Sequence, residues 1–317
     1  MILAVDAGGG LPDRVLALLA CPDCRAPLQR SGSGVACRGT EPHRFETEDG
    51  FLTFARPPQG KYGADYAARY AALWAFGYQT LHRGSDEPLY RAVSSLVAEA
   101  LAARDRSGVA AGRTERTDAP FGAPVIVDAG CGVGRVAADC AALAPDGAVI
   151  AIDGSPAMLE LARRIVLGTE PVDVPLPADG FPALTIPARG RANASLLRAD
   201  LEALPVAAAA ADIALCVNTV DRLPHGPDRA LAECARILRP GGRVVFTNPM
   251  NWADPDLWRR YPDAEALLRC FEEQGFTVES WFDDLPYREV MDARGAFEEF
   301  RTVVVVGRVG WETLAAP

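Results

Sequence analysis

Residues 125–135, which read Val-Ile-Val-Asp-Ala-Gly-Cys-Gly-Val-Gly-Arg, constrain the fold more than any other stretch of this 317-residue chain. A short β-branched run ends at Asp128 and is followed at once by Gly130, Gly132 and Gly134. A buried strand that ends in a glycine turn lets a ligand approach the backbone at the carboxyl edge of a parallel sheet. The pattern therefore predicts an α/β fold with a Rossmann-like, doubly wound sheet.

The glycine turn departs from the fingerprint of dinucleotide-binding proteins. The pattern G-x-G-x-x-G would place its third glycine at position 135, where this chain has arginine. Pyrophosphate prefers bare backbone amides and a helix N-terminus, and a carboxylate at the strand tip would repel it. Asp128 therefore favours a ligand that carries positive charge.

Four further segments follow the turn. Ala148–Ala162 contains a second apolar strand that ends at Asp153, nineteen residues after Gly134. A carboxylate at this distance from the glycine turn can accept hydrogen bonds from both hydroxyls of a ribose. Ser195–Leu204 and Ala211–Thr219 are predicted to contain the third and fourth strands. Ala230–Phe246 is predicted to form a helix, a Pro-Gly-Gly stop and a fifth strand.

In this order and spacing, the segments of residues 120–310 resemble the motifs of class I S-adenosylmethionine-dependent methyltransferases. The resemblance implies a seven-stranded, mostly parallel sheet that binds S-adenosylmethionine. Asp200 would accept a hydrogen bond from the adenine amino group, the Leu201 amide would meet a ring nitrogen, and Asn218 would contact the methionine part. The full set of predicted donor-binding residues is Asp128, Gly130, Gly132, Gly134, Asp153, Gly154, Met158, Asp200, Leu201 and Asn218.

The first sixty residues contain a predicted metal site. Cys21 and Cys24 have C-x-x-C spacing, and Cys37 and His43 follow, so the four supply the ligands of a tetrahedral, structural Zn²⁺. The alternative is a degenerate site in which the cysteines are plain buried residues. The segment through residues 48–52 resembles the zinc ribbon of large-subunit rRNA guanine methyltransferases, and also the small ribbon activators of tRNA methyltransferases.

A Pro- and Gly-containing cluster at residues 56–60 marks a predicted boundary. We therefore predict a zinc-ribbon-like domain over residues 1–58, a helical linker or lid over 59–118, and an S-adenosylmethionine-binding domain over 119–317. Within the linker, Leu89–Ala103 is predicted to form a helix.

The linker also carries aromatic residues at every fourth position, which are Tyr62, Tyr66, Tyr70, Trp74 and Tyr78. On a helix this spacing places them on one face. One interpretation is a packing stripe against the core. The other is a lid in which Tyr66 and Tyr70 are catalytic, because aromatic rings attract a sulfonium and phenols can orient or deprotonate a nucleophile.

The loop after the fourth strand should face the transferred group, and its polar residues Asp221, Arg222 and His225 are candidates for acceptor binding and catalysis. His225 is either a general base or a solvated surface histidine, and Asp221 and Arg222 either bind the acceptor or pair with each other. The Asn-Thr-Val-Asp-Arg-Leu sequence, the proline-rich insertion of residues 168–192 and an Asn-Pro-x-x-Trp turn resemble the methyltransferase domain of ovothiol biosynthesis. That resemblance implies a small polar acceptor.

Composition narrows the partners. The formal net charge of −10 argues against a nucleic-acid substrate, because proteins bind phosphate backbones with clustered Lys and Arg. The sequence shows neither a membrane-length apolar run nor a signal peptide, which predicts a cytoplasmic protein with no membrane partner. We expect a monomer or a homodimer. The predicted function is methyl transfer to a small molecule in bacterial secondary metabolism. The alternatives are rRNA or tRNA base methylation, aminocarboxypropyl transfer, cyclisation of the donor, and a non-enzymatic binding protein.

Overall fold

The computed structural model describes residues 11–54, 88–110, 122–174, 184–290, 294 and 296–310. The predicted domain boundaries after residues 58 and 118 lie outside these ranges, as does the aromatic stripe with Tyr66 and Tyr70.

The N-terminal segment is built from very short elements. After a single helical turn, α1 (Asp13–Leu16), the chain forms a three-stranded antiparallel sheet and then a two-stranded one. Their strands are β1 (Leu28–Ser31), β2 (Gly34–Cys37), β3 (Arg44–Phe45), β4 (Thr47–Glu48) and β5 (Phe51–Leu52). Segments this short bury little apolar surface of their own, so the N-terminal segment depends on packing against the rest of the chain.

The remaining elements are nine strands and six α-helices within the described ranges. The strands are β6 (Val125–Ala129), β7 (Ala148–Asp153), β8 (Val172–Val174), β9 (Leu184–Ile186), β10 (Ala194–Arg198), β11 (Ala211–Val217), β12 (Leu238–Asn248), β13 (Phe276–Val290) and β14 (Phe297–Val309). The helices are α2 (Pro88–Ala110), α3 (Arg135–Leu143), α4 (Pro156–Ala162), α5 (Pro227–Ile237), α6 (Pro255–Arg260) and α7 (Ala264–Glu273). None of the helices in the described ranges is both long and apolar enough to cross a membrane.

Seven strands form the central sheet in the order β10-β7-β6-β11-β12-β14-β13. β10, β7, β6, β11 and β12 pair in parallel, and β14 runs antiparallel to both of its neighbours. All residues of β6 and β10 are buried, as expected for parallel strands that are covered on both faces. The predicted seven-stranded, mostly parallel, doubly wound sheet is therefore confirmed.

Helices cover both faces of this sheet. Buried residues of α2, α3 and α4 form one hydrophobic cluster with one face, while α5, α7 and the N-terminal segment form a second cluster with the other face. The predicted helix in the linker is confirmed by α2, which is longer than predicted. The Pro-Gly-Gly sequence at residues 240–242 lies within the irregular first part of β12 and does not precede the strand.

The N-terminal segment joins the edge of the central sheet. Thr53 forms a parallel β-bridge with Arg198 of the edge strand β10, and the Phe54 amide donates to the Arg198 carbonyl at 2.9 Å. Arg25 forms an ion pair with Glu233 of α5, with 3.0 Å between nitrogen and oxygen. The N-terminal segment is thus held to the central sheet by backbone pairing and to α5 by an ion pair.

Candidate functional site

A cavity of about 590 Å³ opens at the carboxyl ends of the parallel strands. This is where open α/β sheets bind ligands, because the loops that leave neighbouring strands diverge there. Nine of the ten predicted donor-binding residues line it, which are Asp128, Gly130, Gly132, Asp153, Gly154, Met158, Asp200, Leu201 and Asn218. The tenth, Gly134, does not line the cavity.

The three glycines of the turn have different roles. A Cβ on Gly130 would lie 2.4 Å from Cγ2 of Thr219, and one on Gly134 would lie 2.3 Å from Cγ2 of Val166. Those two positions must be glycine for packing. Gly132 has a φ of +51°, and a Cβ there would meet nothing within 4 Å. Gly132 therefore keeps open the part of the cavity wall that a ligand can approach most closely.

Asp128 is the most deeply buried charge of this wall. Its side chain is 1% exposed, and no hydrogen-bond partner for Oδ2 is present in the described part of the chain. Burial, and next the negative charge of Asp153, raise the pKa of Asp128 to about 7. The Ala137 amide donates one hydrogen bond to this carboxylate, which offsets only part of the cost of burying its charge, so the position is suited to a cationic ligand that would neutralise it.

Asp153, at the tip of β7, is held by the backbone. Its Oδ2 accepts from the Gly132 amide at 2.9 Å, and its Oδ1 accepts from the Ser155 amide at 2.8 Å. Burial raises the pKa of Asp153, and these hydrogen bonds oppose the rise. Because each carboxylate oxygen can accept more than one hydrogen bond, Asp153 is oriented by the turn and retains acceptor capacity toward the cavity.

Asp200 and Leu201 follow β10 and occupy the next part of the wall. The Asp200 carboxylate accepts from the Glu202 amide at 2.9 Å, an Asx-type turn that orients the side chain. We use the term glycine-turn wall for Asp128, Gly130, Gly132, Asp153 and Asp200.

Asn218 marks the end of β11 with an unusual backbone, a φ of +49°. Its side-chain oxygen accepts from the Thr247 hydroxyl at 2.7 Å, and its amide nitrogen Nδ2 is buried without a partner among the described residues. A donor held in this way is available to an acceptor atom of a bound ligand.

Of the predicted acceptor-side residues, two line the cavity and one does not. Asp221 and Arg222 both line the cavity, and they pair with each other at 3.1 Å, so the pairing alternative is the one observed. His225 is not among the lining residues: its Nδ1 lies 2.7 Å from Glu202, and its side chain is 44% exposed. A catalytic role for His225 stays a prediction, as do those of Asp221, Tyr66 and Tyr70.

Several lining residues were missed from the sequence. Arg198, at the end of β10, donates to the Gly154 carbonyl and pairs with Glu48 of the N-terminal segment, both at 3.3 Å. The others come from distant elements and include Tyr90, Tyr287, Glu289 and Phe300. Nothing local to these residues indicates a site, because they reach the cavity only through the packing of α2 and of the β13–β14 hairpin.

The hairpin contributes a second distinct wall. β13 and β14 extend well beyond the core of the sheet and pair Tyr287 with Phe300, whose rings stack with 6.3 Å between centroids. Side chains alternate between faces along a strand, so Tyr287, Glu289 and Phe300 share the face that lines the cavity. We use the term hairpin wall for these three residues.

The Cys and His cluster predicted from the sequence is assembled in the N-terminal segment. One ligand atom from each of Cys21, Cys24, Cys37 and His43 lies within 4.8 Å of all the others. A Cβ on Gly39 would lie 3.3 Å from Sγ of Cys24. Three thiols and an imidazole converging around a close backbone turn are the donor set that a tetrahedral Zn²⁺ prefers.

Comparison with known proteins identifies the central part of the chain. Residues 127–246 match the methyltransferase domain family. An uncharacterised 37.1 kDa protein of transposon TN4556 from Streptomyces fradiae is 35% identical over 143 residues, which are 44% of this chain and 33% of that protein.

Two of the relatives that are named as enzymes match about half of the chain. A ubiquinone/menaquinone biosynthesis C-methyltransferase from Syntrophotalea carbinolica is 35% identical over 153 residues, or 47% of this chain and 51% of that enzyme. A malonyl-[acyl-carrier protein] O-methyltransferase from Methylococcus capsulatus is 30% identical over 165 residues, or 48% of this chain and 51% of that enzyme. The chain thus spans about half the length, or less, of these relatives. The segment that matches the methyltransferase domain family, residues 127–246, contains the whole glycine-turn wall.

Proposed function

We propose that the protein is a class I methyltransferase that uses S-adenosylmethionine and acts on a small molecule. The observation that carries the proposal is the glycine-turn wall. Three carboxylates, Asp128, Asp153 and Asp200, line one cavity beside the open surface of Gly132, within the segment that matches the methyltransferase domain family.

The wall fits the donor's chemistry. When bound, S-adenosylmethionine supplies a methyl group already activated by its sulfonium. Asp153 would hold the ribose hydroxyls, Asp200 and the Leu201 amide the adenine, and Asn218 the methionine part. Asp128 would lie next to the donor's positive charge. Such a site accelerates transfer mainly by aligning the acceptor with the methyl group and excluding water.

A small acceptor is favoured over nucleic acid by the cavity's charges. The arginines that line it each have a carboxylate partner: Arg135 pairs with Asp139, Arg198 with Glu48 and Arg222 with Asp221. Together with the net charge of −10, this arrangement offers little to a phosphate backbone. The relatives are named for transfer to carbon, to oxygen and to nitrogen, so their names do not select an acceptor atom. A role in bacterial secondary metabolism, a cytoplasmic location and a monomeric or dimeric state are part of this proposal.

Calorimetric titration with S-adenosylmethionine tests the donor assignment. We expect the intact chain to bind it, and Asp153→Ala to weaken binding at least tenfold, about 1.4 kcal/mol. Asp146→Ala, which removes an exposed carboxylate ahead of β7, is the matched control and should bind as the unaltered protein does. Unchanged affinity in Asp153→Ala would refute the ribose assignment. Mass spectrometry of the product separates methyl transfer, which leaves S-adenosylhomocysteine, from aminocarboxypropyl transfer, which leaves methylthioadenosine.

We further propose that Cys21, Cys24, Cys37 and His43 hold one structural Zn²⁺. Four protein ligands leave no open position for catalysis, so the ion would stabilise a segment whose strands are too short to fold alone. Elemental analysis should find about one zinc per chain, and Cys37→Ser should lose it. Cys140→Ala, a buried cysteine in α3, should keep it. Metal-free purified protein would contradict the proposal.

A further inference from the structure

The hairpin wall carries one polar group, Glu289, whose neighbours are unfavourable for a structural carboxylate. Glu289 is half-buried and lies directly across from Glu298 in the β13–β14 register. Like charges directly opposite each other on one face destabilise a hairpin. A pair of this kind at the rim of a cavity indicates that something other than hairpin stability accounts for Glu289.

Among the residues that the structure describes, the groups around Glu289 orient the carboxylate but do not supply a full counter-charge. The Tyr287 hydroxyl donates to it, and Arg222 acts on it electrostatically. Arg222 is already held by Asp221 at 3.1 Å, and a guanidinium shared between two carboxylates cannot neutralise both. The described residues around Glu289 therefore present net negative charge to the cavity beside the stacked rings of Tyr287 and Phe300.

The structure assigns to Glu289 the recognition of the acceptor, and we propose that this acceptor is a small basic nitrogen compound, an amine or a basic heterocycle. This inference rests on the proposed function and specifies its substrate class. A cationic nitrogen would complete the charge balance that Glu298 and the engaged Arg222 leave open, and the two rings would cover its apolar part.

Glu289 would also accept the proton that must leave before transfer. The nitrogen gives its proton to the Glu289 carboxylate, and its lone pair forms the new carbon–nitrogen bond. The carbon–sulfur bond breaks with its electron pair remaining on sulfur, and the proton passes later to solvent. Burial raises the pKa of Glu289, the Tyr287 hydrogen bond and Arg222 lower it, and Glu298 raises it, with the net effect upward. A carboxylate with a raised pKa is a better proton acceptor near neutral pH.

Binding to the chain saturated with S-adenosylhomocysteine tests the assignment without turnover. The probes are benzylamine and histamine, compared with the uncharged benzyl alcohol and the anion benzoate. We expect at least one amine to bind roughly tenfold or more tightly than benzyl alcohol, and Glu289→Gln to abolish this preference. Glu299→Gln is the matched control, because Glu299 lies on the opposite face of the same hairpin in an ion pair with Arg288. It should retain the preference.

A second variant adds a readout that a merely structural role would not change. Glu298→Gln removes the like charge that raises the pKa of Glu289, so the amine preference should persist to lower pH than in the unaltered chain. A shift toward higher pH would contradict the assignment.

The outcomes separate this inference from the proposed function. Failure to bind S-adenosylhomocysteine overturns both. Binding of S-adenosylhomocysteine with equal affinity for amine and alcohol, with preference for benzoate, with no amine binding at about 10 mM, or with the preference intact in Glu289→Gln overturns the inference alone. If amines bind but none is methylated when S-adenosylmethionine is supplied, Glu289 is not the proton acceptor.

Discussion

The glycine-turn wall and the hairpin wall line the same cavity but are built in different ways. The glycine-turn wall comes from strand tips and the turns directly after them, and its carboxylates are held by backbone amides, as when Asp153 accepts from Gly132 and Ser155. The hairpin wall comes from the far end of two long antiparallel strands, where Tyr287, Glu289 and Phe300 are placed by register.

This difference corresponds to a division of labour under the proposed function. A wall held by backbone geometry suits a ligand common to a whole family, because the backbone changes little when side chains vary. A wall formed by side chains on a protruding hairpin can be altered one residue at a time, which suits recognition of a particular acceptor. Each experiment below affects one wall or one of its constraints.

The largest effect is expected from Gly134→Ala, compared with Gly132→Ala. At Gly134 the new Cβ would overlap Val166 at 2.3 Å with a φ of +80°, which together cost about 3–4 kcal/mol and lower Tm by roughly 6 °C or more. At Gly132 only the left-handed backbone is strained, at ~1 kcal/mol, but the methyl group projects into the cavity.

Gly132→Ala should therefore remain folded and lose affinity for S-adenosylmethionine, whereas Gly134→Ala should mainly lose stability. Thermal unfolding and calorimetric titration of both variants measure the two quantities. If Gly132→Ala binds the donor normally, the second glycine does not form the contact surface assigned to it.

An intermediate effect is expected for Asp128→Asn. The pKa of Asp128 is raised to about 7 by burial and by Asp153, so its ionised form destabilises the ligand-free fold. This cost is absent below the ordinary carboxyl pKa near 4, grows between about pH 4 and pH 7, and is complete above pH 7. The variant should have a higher free energy of unfolding than the unaltered chain at pH 8, by no more than the roughly 4 kcal/mol that a shift of this size corresponds to, and no gain near pH 4.

The same variant should bind S-adenosylmethionine more weakly at pH 8. Donor affinity of the unaltered chain should fall as Asp128 is protonated below pH 7, and the variant should lose this pH dependence. Urea unfolding and donor titration across pH 5 to pH 8 provide the measurement. A variant that is less stable at pH 8 would show that the ionised Asp128 carboxylate stabilises the ligand-free fold, and that it is not an uncompensated charge suited to a cationic ligand.

The smallest effect is expected from His225→Ala. The imidazole lies outside the cavity lining and pairs with Glu202 at its exposed edge. An exposed pair contributes roughly 0.2–1 kcal/mol to the free energy of unfolding. Because the imidazole does not line the cavity, kcat/KM should change less than about threefold once a substrate is available. A loss of about a hundredfold in kcat/KM would indicate that His225 is the general base.

The sequence predicted the central sheet and all five residues of the glycine-turn wall because both depend on local patterns. Strand tips followed by turns place Asp128, Asp153 and Asp200 at one edge of a parallel sheet, and this placement does not depend on how the side chains pack. Gly134 is predicted from the sequence to bind the donor, but in the structure it packs closely against Val166 after α4. The sequence did not indicate this contact because the two residues are far apart along the chain. The pairing of Asp221 with Arg222 was also left open, since adjacent polar residues in a loop can face either each other or a ligand.

The amino-acid sequence by itself determined the parallel sheet, the carboxylates at its edge and the clustering of Cys21, Cys24, Cys37 and His43. These follow from the period of apolar residues, the freedom of glycine and the spacing of Cys and His, all of which act over short stretches of chain. Only the tertiary structure decided which side chains complete the cavity. Tyr90, Tyr287, Glu289 and Phe300 reach it through helix packing and a long antiparallel register, and such contacts depend on the arrangement of the whole sheet.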